Sequence, residues 1–263
     1  MRVSRLTDVP RSLPRHRLTH LALAAVIAVA ATACTGARPQ LATKVESTTT
    51  AFDGGGEDAD VSEVAEATTN PIAVYPNATD DTPTRQIAAD DATSAPDVPV
   101  VFLVKRHRGE RLEVYLPTAP AGSTGWVSAE DVALSRVAYR IEISLSSHRL
   151  RVLDEGRPVL DERISVGVAD RPTAGTKYYV KELLQPPDQG GPYGRFTYVL
   201  SGASTSLDSF TSGEGIIGIH GTSARGSIGE DTPAGSIGVE PDVLDRLIRD
   251  IGLPLGTPVT VLP

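Results

Sequence analysis

Thiols are all but missing from this chain: its 263 residues include one cysteine, Cys34. No intramolecular disulfide is possible, and if Cys34 is itself modified, any chemistry must proceed without a thiolate. Positive charge is also in deficit, with 25 Lys and Arg against 33 Asp and Glu and a formal net charge of -8. A chain of that balance lacks the electrostatic footprint for a phosphate backbone, which excludes nucleic acid as a partner. The apolar run from Leu21 to Ala33, about 13 residues, is too short to cross a hydrocarbon layer of roughly 30 Å as a helix. The five histidines (His16, His20, His107, His148, His220) show no ligand spacing, so no metal site is expected, and no cofactor is implied. Helical periodicity is scarce as well. It is clear only from Pro241 to Asp250, where Val243, Leu244, Leu247 and Ile248 share a face and Gly252 stands ready as a C-cap. What is abundant is turn chemistry, Gly 24 and Pro 20, which fits short strands better than long helices.

The N-terminus has a cationic start (Arg2, Arg5, Arg11, Arg15, Arg17) followed by that apolar run, the layout of a secretory signal over residues 1–33. Ala31-Thr32-Ala33-Cys34 resembles a bacterial lipobox, which implies a lipid on Cys34, a membrane partner through that lipid, and an extracytoplasmic location facing the cell wall. Removing residues 1–33 takes away five Arg and Asp8 and moves the net charge from -8 to -12, so the lipid rather than charge would hold the mature chain at an anionic surface. Residues 34–69 are rich in Thr, Ala, Gly, Asp and Glu, with Phe52 as the only aromatic. So polar a segment buries too little to offset its ordering entropy, and it reads as a disordered tether.

Structure is expected from residue 70. Ile72-Ala73-Val74-Tyr75, Val98 to Val104, Leu112 to Leu116 and Thr124 to Val127 read as strands separated by turn residues. They predict a small SH3-like β barrel over 70–136, with Trp126 as a core residue. From Tyr139 the alternation lengthens: Arg140 to Leu145 and Arg149 to Leu153 flank a Ser-Ser-His turn, and Asp154-Glu155-Gly156-Arg157 marks another. His148, in the first of these turns, is expected to face solvent. Ile164 to Val168, Tyr178 to Val180 and a closing Pro258 to Leu262 add further strands, a β-rich second domain over 137–263.

The order of these segments carries a resemblance. "IEISLSSHRLRVLDEG…SVGVADRPTAG", "GPYGRFTYVLSG" (191–202), "IGIHGT" (217–222) and "LPLGTPVTVL" are similar, in sequence, to the segments of L,D-transpeptidase catalytic domains. The stretch "RLEVYLPTAPAGSTGWV" resembles the small β domain preceding them in some actinobacterial members. The resemblance implies a mainly β chain: an L,D-transpeptidase-like β-sandwich with one short helix behind the SH3-like barrel. It implies peptidoglycan stem peptides as the partner, and a thiolate that attacks a stem carbonyl before an amine resolves the acyl-enzyme. The family pattern has a histidine in H-G-T and then S-H-G-C-I-R. Aligned without gaps from His220, Ser236 stands at the cysteine, Ala234 at the second histidine, Pro233 at the serine and Gly238 at the arginine.

His220 and Ser236 are therefore the candidate catalytic pair, with Tyr193, Gly221, Thr222 and Gly235 as candidate substrate contacts. A serine hydroxyl is far less acidic than a thiol and needs an aligned base and an oxyanion hole. General-base help is worth roughly 10²–10⁴-fold, and only His220 is left to give it. The expectation is a member that no longer transfers acyl groups and binds peptidoglycan or regulates active enzymes. The alternative is a Ser-His variant performing acyl transfer in cross-linking, and a further one is a purely structural envelope lipoprotein. Gly213 to Gly218 spells G-x-G-x-x-G with no strand–helix pair of a dinucleotide fold around it.

Overall fold

Alternating apolar residues on short strands demand sheets with one covered face, and this chain builds two such sheets side by side. The computed structural model describes residues 60–94, 98–169, 171–186, 188–191, 193–202, 217–233 and 236–263. The signal-like region, Cys34 and most of the expected tether lie outside them.

The first sheet comprises β1 (Ser62–Ala67), β4 (Val101–Arg108), β5 (Arg111–Tyr115), β6 (Thr124–Ser128) and β7 (Val132–Val137) in the order β6-β5-β4-β1-β7. A two-stranded ribbon, β2 (Ile72–Val74) and β3 (Arg85–Ile87), and the single turn α1 (Ala89–Ala92) close over it. Ile72, Phe102, Leu112, Val114 and Val127 fill the core beneath. Trp126 is buried but outside that core: it alternates with Val127 and so faces the other side of β6, with the Arg106 guanidinium 5.3 Å from its ring centroid, and its backbone bonds to Tyr75.

The tether expected through residue 69 ends earlier than its composition suggests. Ser62–Ala67 is an internal strand, antiparallel to both β4 and β7, with Val64 and Ala65 buried. A strand bonded on both edges is held by its backbone partners, so two small apolar side chains suffice where an edge strand would need more. The acidic residues around Val64 masked this in the average over 34–69.

The second sheet has ten strands in the order β10-β9-β8-β17-β12-β13-β14-β16-β11-β15. In chain order they are β8 (Tyr139–Ser144), β9 (Arg149–Asp154), β10 (Arg157–Arg163), β11 (Ser165–Gly167), β12 (Lys177–Leu184), β13 (Thr197–Leu200), β14 (Gly218–Gly221), β15 (Asp231–Thr232), β16 (Ile237–Val239) and β17 (Pro258–Leu262). The sheet curls so that strands from both ends share one core: Ile141, Ile143, Leu150 and Val152 meet Ile219, Ile237 and Val239. The helix expected over Pro241 to Asp250 begins as α2 (Pro241–Asp245), with Pro at its first turn, and continues as a π-helical turn, Arg246–Ile251. Val243, Leu244, Leu247 and Ile248 are its buried face, and Gly252 ends it at φ 62°.

Only Ala138 separates β7 from β8. The two sheets share a seam in which Val64, Val101, Leu103, Tyr115 and Val137 pack with Tyr179 of β12. The Tyr179 hydroxyl donates to the Val101 carbonyl (2.9 Å), and complete burial pushes its pKa well above the usual phenol value.

Candidate functional site

Three neighbouring strands position His220 and Ser236. In β14, His220 faces Thr197 of β13 on one side and Gly238 of β16 on the other. The imidazole is 8% exposed, and its Nδ1 lies 3.4 Å from the Gly221 carbonyl. Tyr193 covers it edge-on, with ring centroids 5.3 Å apart at 70°. The hold on Tyr193 is local. Thr197 donates to the Tyr193 carbonyl (3.3 Å), and at Gly194 (φ +63°) a Cβ would come 2.9 Å from the Gly221 oxygen. A glycine is required there because two backbones pass in contact.

Ser236 immediately precedes β16, one residue before the Ile219–Ile237 pair, and so lies beside Gly218 on the strand that carries His220. It is 1% exposed, and its hydroxyl accepts a hydrogen bond from the Gly218 amide (3.2 Å). Its carbonyl accepts from the Gly167 amide (2.8 Å). Its φ of 71° is left-handed, a conformation that costs a residue with a Cβ about 1–2 kcal/mol. The oxygen is thus turned to backbone, in a residue that offers almost no surface to an incoming carbonyl.

Gly238 is glycine for a structural reason. A Cβ there would lie 2.3 Å from the Ser165 Oγ and 3.3 Å from Thr222 Cγ2. Ser165 faces Gly238 across β11 and β16, is buried, and donates to the Gly238 carbonyl at 3.5 Å. The space at the root of any longer side chain is therefore taken.

The other candidates divide. Gly221 is buried against Pro241 and Leu244 of α2, so its part is packing. Thr222 bonds through its amide to Val239 (2.9 Å), and its hydroxyl accepts from the Ala224 amide (3.2 Å), closing the turn after β14. Gly235 lies outside the described residues, as do Ala234 and most of the G-x-G-x-x-G stretch.

Three features escaped the sequence reading. Ser165 is one, 73 residues from Gly238 in the chain. His148 is another: expected to face solvent, it instead sits at φ 51° with its side chain 21% exposed and Nε2 3.0 Å from Asp231 Oδ1. Arg171 contacts the other oxygen of Asp231 at 2.5 Å. Arg171 first, then His148, hold that carboxyl below its ordinary pKa. The pairing ties β15, in the segment between His220 and Ser236, to the β8–β9 turn; its signal was a histidine in a tight turn beside an acidic strand. The third is the adjacent pair Lys181 and Glu182 on β12, both almost fully buried. Among the described residues no group of three His, Cys, Asp or Glu is placed to hold a metal ion.

Comparisons with known proteins bear on this arrangement. The YkuD family, the L,D-transpeptidase catalytic domain, matches residues 138–261, a span that contains every strand of the ten-stranded sheet but the last residue of β17. No curated protein matches the chain. Among solved structures, an L,D-transpeptidase from Xylanimonas cellulosilytica aligns at 18% identity over 47% of this chain and 59% of its own, with a TM-score of 0.33. The catalytic domain of the Enterococcus faecium L,D-transpeptidase aligns at 22% identity over 47% of this chain and 96% of its own, TM-score 0.34. An L,D-transpeptidase from Mycobacterium smegmatis aligns at 13% identity over 74% of this chain and 100% of its own, TM-score 0.38.

Proposed function

From the match of residues 138–261 to the L,D-transpeptidase catalytic domain family we propose that this chain is a cell-wall lipoprotein that has lost acyl transfer and acts on peptidoglycan by binding stem peptides or regulating active enzymes. The observation that carries the reading is the state of Ser236. At the position where the resemblance puts a reactive sulfur stands a hydroxyl in a residue 1% exposed, bonded to the Gly218 amide. Nucleophilic serine needs the opposite: an accessible oxygen aligned with a base and with donors for the developing oxyanion. Gly238, closed off by Ser165 and Thr222, removes the arginine position as well. Tyr193, His220 and Thr222 remain grouped at the ends of β13 and β14, a remnant suited to contacting a peptide without cleaving it. The cationic start, the apolar run and Cys34 support lipid anchoring outside the cytoplasm, with a tether that ends near residue 60.

Incubating the full chain with a carbapenem and measuring its intact mass tests the loss of chemistry. An unchanged mass is expected, and a stable adduct on Ser236 overturns the reading. Co-sedimentation with isolated peptidoglycan tests the binding; a chain that stays in the supernatant sinks that half. Turnover of stem peptides that vanishes in both Ser236→Ala and His220→Ala would establish the Ser-His transferase in its place.

A further inference from the structure

Two ionisable side chains sit next to each other inside the seam between the sheets. Lys181 is 1% exposed and Glu182 is 2% exposed. They follow one another on β12 at a β-bulge, where the register against β13 shifts between Val180 and Glu182. Each is committed to a different loop of the first sheet. Lys181 Nζ donates to the Pro117 carbonyl (3.1 Å). Glu182 accepts from the Ser94 amide (3.1 Å) and from the Ser94 hydroxyl, just beyond α1.

The Pro117 contact leads toward the site. The same carbonyl accepts the Gly202 amide (3.0 Å), and Gly202, at φ +80°, leaves no room for a Cβ, which would lie 2.4 Å from Ala121. Gly202 ends the strand segment that begins with Thr197, the residue facing His220. Ser201 is tied to β12 in both directions, its amide to the Tyr179 carbonyl and its hydroxyl to the Tyr179 amide. The loop 117–123, Lys181, Gly202 and the β13–β14 pair thus form one contiguous set of contacts.

We propose that loop 117–123 is a control element for the strands that carry His220, pinned to β12 by Lys181 and released when that amine takes up a proton. A neutral amine donates to Pro117 at little expense, whereas an ammonium in the same place has lost its water and is stabilised by admitting solvent, which means parting the loop from β12. The titratable groups on β12 itself are Lys177, Tyr178, Tyr179 and Glu182, and the elements beside it carry Tyr198 on β13, the charged run 105–108 on β4, Tyr115 at the end of β5, and Asp90 and Asp91 on α1. Of these Glu182 is the charge that acts on the amine, and it only partly opposes burial, which brings the Lys181 pKa from 10.5 to about 7. The release therefore falls near neutral pH.

The test is an NMR titration of the isotopically labelled full chain between about pH 5.5 and 9.5. The Lys181 13Cε resonance is expected to titrate with a midpoint of about 7. The amides of Gly122, Ser123, Gly202 and Thr197 are expected to shift with the same midpoint, and in Lys181→Met those shifts disappear. A Lys181 midpoint near the ordinary lysine value overturns the proposal, as do loop amides that stay still through the Lys181 transition or that move equally in Lys181→Met. The parental titration decides the matter even if the variant does not fold.

Discussion

Gly238→Ala makes the sharpest test of how this site is built. The added Cβ would lie 2.3 Å from Ser165 Oγ, 3.3 Å from Thr222 Cγ2 and 3.4 Å from Thr222 Cβ. Turning the Ser165 hydroxyl away relieves only the first of these and breaks its bond to the Gly238 carbonyl. Overpacking of this kind typically costs about 1–3 kcal/mol. For a folded region of this size each kcal/mol lowers Tm by about 2–4 °C, so a drop of roughly 2–12 °C is expected. Ser165→Gly alone costs about 1 kcal/mol, chiefly the entropy of a glycine in a strand. The double variant should recover much of the first loss, giving a favourable coupling of at least about 1 kcal/mol in a double-mutant cycle read by urea denaturation. Strict additivity, with a coupling below about 0.5 kcal/mol, would refute the contact between Ser165 and position 238. The same reasoning says that an arginine does not return to position 238 while Ser165 occupies its root.

Folding stability of the parent should rise with pH between about 7 and 9.5. Burial holds the Lys181 ammonium at about 7 against about 10.4 in the unfolded chain, so the unfolded state binds more protons in that window. The slope approaches about 1.4 kcal/mol per pH unit; Glu182, raised by burial, acts in the opposite sense but on the acid side. Urea midpoints at several pH values should rise in the parent and stay flat in Lys181→Met, and parallel profiles would sink the argument. At Ser236 the left-handed φ makes Ser236→Gly more stable than Ser236→Ala by about 1 kcal/mol, since both lose the bond to Gly218 but only glycine sheds the strain; equal urea midpoints would contradict it.

Much of the second sheet was legible because its strands alternate cleanly. Arg140-Ile141-Glu142-Ile143 and Arg149-Leu150-Arg151-Val152 pair in register as β8 and β9 with Ile and Val inward. The ordered motifs around His220 carry the resemblance to the family that residues 138–261 match; Ser236, which the ungapped count sets at the family's cysteine position, lies beside Gly218 on the strand that carries His220. β1 was hidden because a two-edged strand draws its stability from its neighbours' backbones, and its acidic side chains say nothing of that. Lys181 and Glu182 were hidden for a different reason. A bulge breaks the period-two pattern, and burial of a charge is decided by loops from another sheet. The π-helical end of α2 likewise keeps the apolar spacing of an ordinary helix, so the sequence offered no warning of it.

The first strand has a mechanical side. Among the described residues β1 is the first element, and it runs antiparallel between β4 and β7. A pull on the chain ahead of Asp60 acts along the axis of β1, so its bonds to both neighbours are loaded in shear together and do not open one at a time. Ser62, where such tension enters, is paired with Val137, a single residue away from β8. Load entering at Ser62 would therefore pass by way of Val137 straight into the ten-stranded sheet.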